Sequence, residues 1–201
     1  WHSPAQLLEQ LIRHEAVHAI DGWDDLRRRL QPDRRCFAFF HPQLPDEPLI
    51  FVEVALLPEL PAAIAPLIDK SSEPQPPNSY KLAAFYSISN CQPGLRGVSL
   101  GGFLIKRVAG ELQRELPRLR GFCTLSPIPG LARWLRAGAP CEGLPRQRAE
   151  RLALARQALL EACGGQLDTL ASVETLRTLE PTAAQALQRL ASLYLVHAST
   201  G

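Results

Sequence analysis

Apolar residues in the first twenty positions recur at helical spacing. Leu8, Leu11, Ile12 and Ala16 fall on one face, which predicts a helix from Pro4 to about Ile20. Ser3-Pro4-Ala5-Gln6 reads as a capping box with Pro at the first helical position, and Gly22 as the stop. An Arg-rich helix over residues 23–30 follows. The period then changes to two. Residues 36–41 and 49–57 are aromatic and β-branched runs joined by Pro42-Gln43-Leu44-Pro45-Asp46-Glu47-Pro48, which predicts an antiparallel hairpin with a stiff connection. A short helix over 61–69 and a Pro-rich surface loop over 71–80 lead into a strand over 83–89. Leu100, Phe103, Leu104, Val108 and Leu112 share one face of a helix over 100–116 that Pro117 closes. A strand over 121–125 and a helix over 127–136 come next. From Pro145 the pattern is helical, broken near Gly164-Gly165 and Glu180-Pro181. Strand, long helix, strand is a βαβ unit, so the expected class is α/β.

Length and composition narrow this picture. The chain has 201 residues, enough for one domain or one domain with a helical appendage, and 46% hydrophobic residues supply a core. A net charge of only +2 argues against a nucleic-acid binder. Arg far outnumbers Lys, which suits an anionic small molecule, because guanidinium forks match phosphate and carboxylate. Cys36, Cys91, Cys123, Cys141 and Cys163 form no CxxC pair, so neither a zinc site nor a disulfide framework is expected. Reduced cysteines and the lack of a signal peptide or of any apolar run near 20 residues predict a cytoplasmic protein without membrane contact. The chain opens on Trp1 rather than Met, which leads us to expect a processed or excised piece.

The stretch richest in chemistry lies between the strand at 83–89 and the helix at 100–116. It runs Ser89-Asn90-Cys91-Gln92-Pro93-Gly94-Leu95-Arg96-Gly97-Val98-Ser99-Leu100-Gly101-Gly102. Its glycines let the backbone turn tightly and approach a ligand, and the following helix offers free N–H groups and a positive dipole end. Such a place binds a pyrophosphate, and Arg96 adds a charge at its mouth. Read from the residues alone, the glycines equally fit a plain strand-to-helix turn. The spacing matches neither a Walker loop nor a dinucleotide fingerprint.

Arg96-Gly97-x-x-x-Gly101-x-x-Leu104 resembles the acetyl-CoA pyrophosphate loop of the GNAT acetyltransferase superfamily, with Ser99 in place of its middle glycine. Further residues sharpen the resemblance. These are Phe85-Tyr86-Ser87-Ile88-Ser89, the run from Gly94 through Gly97-Val98 and Leu100-Gly101 to Phe103-Leu104-Ile105-Lys106-Arg107-Val108, and Leu125-Ser126-Pro127-Ile128-Pro129-Gly130. With Glu15-Ala16-Val17-His18 and Asp46-Glu47-Pro48-Leu49, they are similar to malonyl-CoA decarboxylases along nearly the whole chain. The resemblance implies a GNAT-like mixed sheet flanked by helices. Residues 1–32 would end an N-terminal helical domain, 33–143 would form the CoA-binding core, and 144–201 a helical segment. It implies conversion of malonyl-CoA to acetyl-CoA and CO2 by a homo-oligomeric lyase of fatty acid metabolism, with no metal and no organic cofactor. Gln92, Gly94, Leu95, Arg96, Gly97, Val98, Ser99, Leu100 and Gly101 would hold the CoA, and Ser126 would be one half of a Ser/His pair.

The chain departs from the family in two places. The family histidine lies in a Phe-His-Leu-x-Asn-Gly-Ala segment that is absent here, so the chain is expected to be truncated, short of its last strands, and inactive alone. Ser99 stands where some relatives carry a glutamate. Two other functions share the loop: a GNAT-type acyltransferase, and a non-catalytic CoA-binding module.

Several residues carry plainer readings. Ser126 before Pro127 fits a helix N-cap with Pro at N1. His14-Glu15-Ala16-Val17-His18 spells HExxH, yet no third ligand follows, so zinc is not expected. His41 reads as a packed or turn histidine and His197 as a surface one. Arg27, Arg28, Arg29, Arg34 and Arg35 read as a solvated or interdomain face more than as an anion site.

Overall fold

The computed structural model describes residues 3–95 and 97–198, in two compact units, Trp1–Ser126 and Pro127–Gly201. The first unit is a four-stranded mixed sheet in the order β1-β2-β3-β4, made of Arg34–His41, Leu44–Leu57, Leu82–Asn90 and Gly121–Thr124. β1, β2 and β3 are antiparallel neighbours, and β4 joins β3 in parallel. The helices of this unit are α1 (Ala5–His14), α2 (Gly22–Arg29), α3 (Ala65–Ile68) and α4 (Leu100–Glu115).

Alternation along the strands sorts the side chains between two faces. Ile50, Val52, Val54, Leu56, Ala83 and Phe85 meet Leu104, Val108 and Leu112 of α4. Phe51 and Cys91 meet Leu8, Leu11 and Leu26 of α1 and α2, and Ala55, Ala84 and Tyr86 meet Leu67 of α3. The expected hairpin and βαβ unit are both present. β2 nevertheless starts at Leu44 rather than Leu49, taking in most of the proline-rich connection. Over that opening stretch it has β1 alone as neighbour, and an edge segment tolerates prolines that lack an N–H.

Two expectations at the N-terminus are corrected. No side chain caps α1, whose N-cap is Pro4, so the capping box does not form. The helix stops at His14 rather than near Ile20, and Gly22 opens α2 instead of closing α1. The cause lies in Glu15, whose carboxylate accepts from the Val17 and His18 amides at 2.8 Å and from the Ser87 hydroxyl at 2.7 Å. Those bonds turn the chain at Glu15 and draw residues 15–18 onto β3.

The Arg-rich face is also corrected. Arg28 grips Asp33 with two N–H groups, Arg34 pairs with Asp33 at 2.7 Å, and Arg29 bridges Asp25 and Glu53 at 2.9 and 3.0 Å. All six of these side chains are buried. Only Arg27 and Arg35 of the five keep the solvated character read from the sequence.

The second unit is helical: α5 (Leu131–Arg136), α6 (Arg146–Ala162), α7 (Val173–Thr178) and α8 (Pro181–Leu193), ending in a π-turn, Tyr194–Ala198. Trp134, Leu135, Leu159, Ala186, Leu190 and Tyr194 form its core. The Tyr194 hydroxyl donates to the Pro129 carbonyl at 2.7 Å. Gly130, at φ +81°, lies against that hydroxyl, so a side chain there meets both a backbone penalty and a clash.

Candidate functional site

The site grows from the point where the β3–β4 ladder stops. Its last pair is Phe85 with Thr124, followed by one bond from the Leu125 amide to the Phe85 carbonyl at 2.8 Å. Beyond it β3 runs on from Tyr86 to Asn90 with β2 as its only strand neighbour among the described residues. A register shift on the β2 side, where Val54 faces Phe85 and Glu53 faces Ser87, leaves Tyr86 as an extra residue. Such a bulge bends its strand and sharpens the twist, which accounts physically for the parting of β3 from β4. The result is a strand edge with unclaimed backbone groups, open toward whatever follows β4.

Ser126 follows β4 directly. Its reading as a helix cap is corrected: α5 starts at Leu131, behind a left-handed Gly130. Pro127 and Pro129 explain the delay, since each keeps the residue before it out of the helical region. Ser126 is exposed, and its hydroxyl has no partner among the described residues.

At the far end of the open edge lies the glycine loop. Gln92 is tied back, its amide donating to the Pro48 carbonyl at 3.2 Å and lying 3.4 Å from Glu47. Residues Pro93–Leu95 form a single 3-10 turn, and Gly97 needs its glycine, with φ +83°. Ser99 is the N-cap of α4 but gives no side-chain hydrogen bond, and no acidic residue occupies the first turn. The Leu100 amide turns back to the Val98 carbonyl at 2.8 Å, the amides from Gly101 onward have no side-chain acceptor among the described residues, and no acidic side chain in the first turn offsets the positive dipole end. Gly94, Val98 and Gly101 complete this lip, with Val98 exposed. Arg96 lies outside the described residues. Beside the loop's leading arm, Asn90, Cys91, Gln92 and Pro93 share a polar pocket with Gln10, Arg13, His14 and Glu47. The sequence reading missed Arg13 there; only its position three residues from the pocket's Gln10 hints at a shared helix face.

Behind β3 the polar groups are tightly engaged. Glu15 accepts from Ser87 with both oxygens at 2.7 Å, and the Ala16 amide donates to the Ser89 hydroxyl at 3.1 Å. Glu53 shares Arg29 with Asp25, and burial, only partly offset by Arg29, pushes its carboxyl up to about 7. Burial also pushes the Cys91 thiol up to about 12 and Cys36 well above its usual range, so neither forms a thiolate at neutral pH. The Tyr86 hydroxyl is buried without a hydrogen-bond partner among the described residues.

The HExxH residues do not converge. His14 ends α1 and bonds to Gln10 at 3.0 Å, Glu15 is consumed by its donors, and His18 has left the helix. No cluster of three metal-ligating side chains occurs among the described residues. Burial lowers the pKa of the half-buried His18, with Arg29 adding to the effect and Glu15 opposing it. Sequence reasoning had set this histidine aside with the zinc motif. His41 accepts from the Gln43 amide in the hairpin turn, and His197 is exposed, both as read.

Comparison with known proteins points to one family. A family model described as the malonyl-CoA decarboxylase C-terminal domain matches residues 1–201. Malonyl-CoA decarboxylase, mitochondrial, of Rattus norvegicus is 46% identical over 137 residues, covering 67% of this chain and 28% of the rat protein. The crystal structure of malonyl-CoA decarboxylase from Rhodopseudomonas palustris matches with a TM-score of 0.77 at 46% identity, over 100% of this chain and 46% of that one. The Agrobacterium vitis protein of the same name matches with a TM-score of 0.69 at 45% identity, over 96% of this chain and 46% of that one. The chain thus spans a little under half the length of these solved relatives and about a quarter of the curated one.

Proposed function

The chain belongs to the malonyl-CoA decarboxylase family, and from that membership we propose that it holds the CoA thioester in an enzyme converting malonyl-CoA to acetyl-CoA and CO2. The observation that carries the proposal is the continuity of one track. It starts at the α4 amides from Gly101 onward, follows the edge of β3 beyond its ladder with β4, and ends where Ser126 follows β4. The α4 amides and dipole suit a diphosphate. The open edge, roughly 15 Å over five residues, suits an extended amide-bearing arm, which pairs with free backbone groups as an added strand does. The acyl end then arrives at the bulge beside Ser126. The roles of Ser126 and of the loop residues Gln92 to Gly101, Arg96 included, are part of this proposal, as is a GNAT-like core over residues 33–143 that follows the end of a helical domain.

The chemistry asks little of the protein but asks it in one place. The bond between the carboxylate and the α-carbon breaks, CO2 leaves, and the electron pair passes into the thioester as an enolate. A proton then goes to the α-carbon. Preorganised donors at the enolate oxygen supply the largest share of such catalysis. The Ser126 hydroxyl is one donor, and the histidine of the family's Phe-His-Leu segment serves as the proton source. No metal or organic cofactor enters this scheme. The proposal also carries a homo-oligomeric state and a cytoplasmic location. The mitochondrial name of the rat relative makes the organelle the competing location, which fractionation of the source cells resolves.

The full-length protein is the right test object. Incubated with malonyl-CoA, it should release CO2 and acetyl-CoA without an amine acceptor. A requirement for an amine would identify an acyltransferase instead. Ser126→Ala should lower turnover about a hundredfold or more, as loss of an oxyanion donor does elsewhere. Turnover near the wild-type value removes Ser126 from the mechanism.

A further inference from the structure

We propose that the helical unit carries a second binding site, a groove between α6 and α8 that takes a fatty carboxylate, a single hydrocarbon chain with an anionic head. The groove encloses about 570 Å3, inside the roughly 300–1,000 Å3 range of small-molecule sites. Its rim carries Arg148 and Arg151 of α6 and Arg189 of α8, and its floor Leu152, Leu190 and Leu193. Arg151 and Arg189 also border an adjoining hollow of about 270 Å3 that Leu154 and Ala158 help to line. Among the described residues no acid lines either hollow. Both lie within the Pro127–Gly201 unit and share no residue with the thioester track.

Charge and hydrocarbon together select this ligand. None of the three guanidinium groups has a hydrogen bond or an ion pair among the described residues. Arg146, at the start of the same helix, shows the alternative by pairing with Glu150 at 2.9 Å. Three like charges around one hollow repel one another, and an anion placed among them relieves that repulsion. α6 also has leucines on more sides than its core contact uses. Leu159 is its one buried residue, while Leu154 is 70% exposed. Inorganic phosphate would satisfy the arginines and leave the leucines wet, and a neutral alkane would do the reverse. A fatty carboxylate satisfies both, because a guanidinium fork holds a carboxylate through two hydrogen bonds while the chain lies along the leucines. The concave shape suits one enclosed molecule rather than the flat surface of a membrane.

The test uses the full-length protein with dodecanoate as the probe, and reads binding by titration calorimetry below the probe's micellar range. The wild type should bind one dodecanoate per chain, and saturating malonyl-CoA should leave that binding unchanged. In the double variant Arg151→Gln, Arg189→Gln the dissociation constant should rise about tenfold or more, as the loss of charge-assisted hydrogen bonds predicts. Both side chains are exposed, so the variant should melt at the wild-type temperature. Leu154→Ser, a second surface change, should weaken dodecanoate about threefold through lost apolar contact. Dodecyl maltoside, which has the chain without the charge, should not compete. Competition by the maltoside, displacement by malonyl-CoA, or unchanged affinity in both variants would each overturn the proposal. Binding to anionic phospholipid vesicles without binding of free dodecanoate would overturn it in favour of a membrane surface. A wild type that binds no dodecanoate overturns it as well, whatever its activity toward malonyl-CoA.

Discussion

Against α4 the sheet presents Ile50, Val52, Val54 and Phe85, an apolar surface closed by Leu104, Val108 and Leu112. Against α1 and α2 it presents Phe51 beside Glu53, Ser87 and Ser89, and these meet Arg29, Asp25 and Glu15. The first face relies on burial, which is strong but indifferent to small shifts in position. The second relies on bonds that are satisfied in only one arrangement. Buried charges of this kind are weak evidence for stability, and the use best attested for them is to fix a register. Here the arrangement they fix includes the Glu15 turn, the bulge in β3 and the place of His18. The exacting face backs the strand along which the candidate site runs, and the sheet's stability comes mainly from the other.

Three measurements break or sharpen that contrast. The largest effect is expected from Arg29→Met, which leaves Asp25 and Glu53 buried without their cation. Chemical denaturation should show a loss of about 3–5 kcal/mol. On the apolar face, Leu112→Ala removes a fully buried side chain and should lower stability by about 3 kcal/mol, at every pH alike. The smallest effect separates the faces by titration. Glu53 keeps its proton in the fold up to about 7, whereas in the unfolded chain it loses it near 4.5. Its contribution is therefore fully present below 4.5 and drains away as pH rises to 7, by about 3 kcal/mol at most. In Glu53→Gln this slope should flatten. Leu112→Ala should keep it, and a slope that survives in Glu53→Gln assigns the buried proton to another group.

The elements that the sequence made legible are those whose signal is local. The α4 stripe, the period-two runs of the hairpin and the glycine loop each carry their cause within a few residues. What escaped depends on partners far along the chain. The end of α1 is set by Ser87, some seventy positions away, and the burial of Arg28, Arg29 and Arg34 by acids at 25, 33 and 53. The Ser-Pro-Ile-Pro stretch misled for a different reason. A serine before a proline marks a helix start when one proline follows it, but a second proline two residues later keeps the chain extended. The role given to Ser126 came from family resemblance, and no periodicity could have supplied it.

The extra residue in β3 works as a phase shift in an alternating code. Up to Phe85, odd-numbered positions face α4, and after the bulge Ile88 takes that side while Ser87 and Ser89 turn to Glu15. Ironing out the bulge while keeping every residue would therefore not be a slight local change. It would turn two serines into the hydrocarbon around α4 and an isoleucine toward a carboxylate. Removing Tyr86 itself would instead keep every later side chain on its present face and cost the strand only its bend, so the extra residue shapes the edge while the alternation on either side sorts the faces.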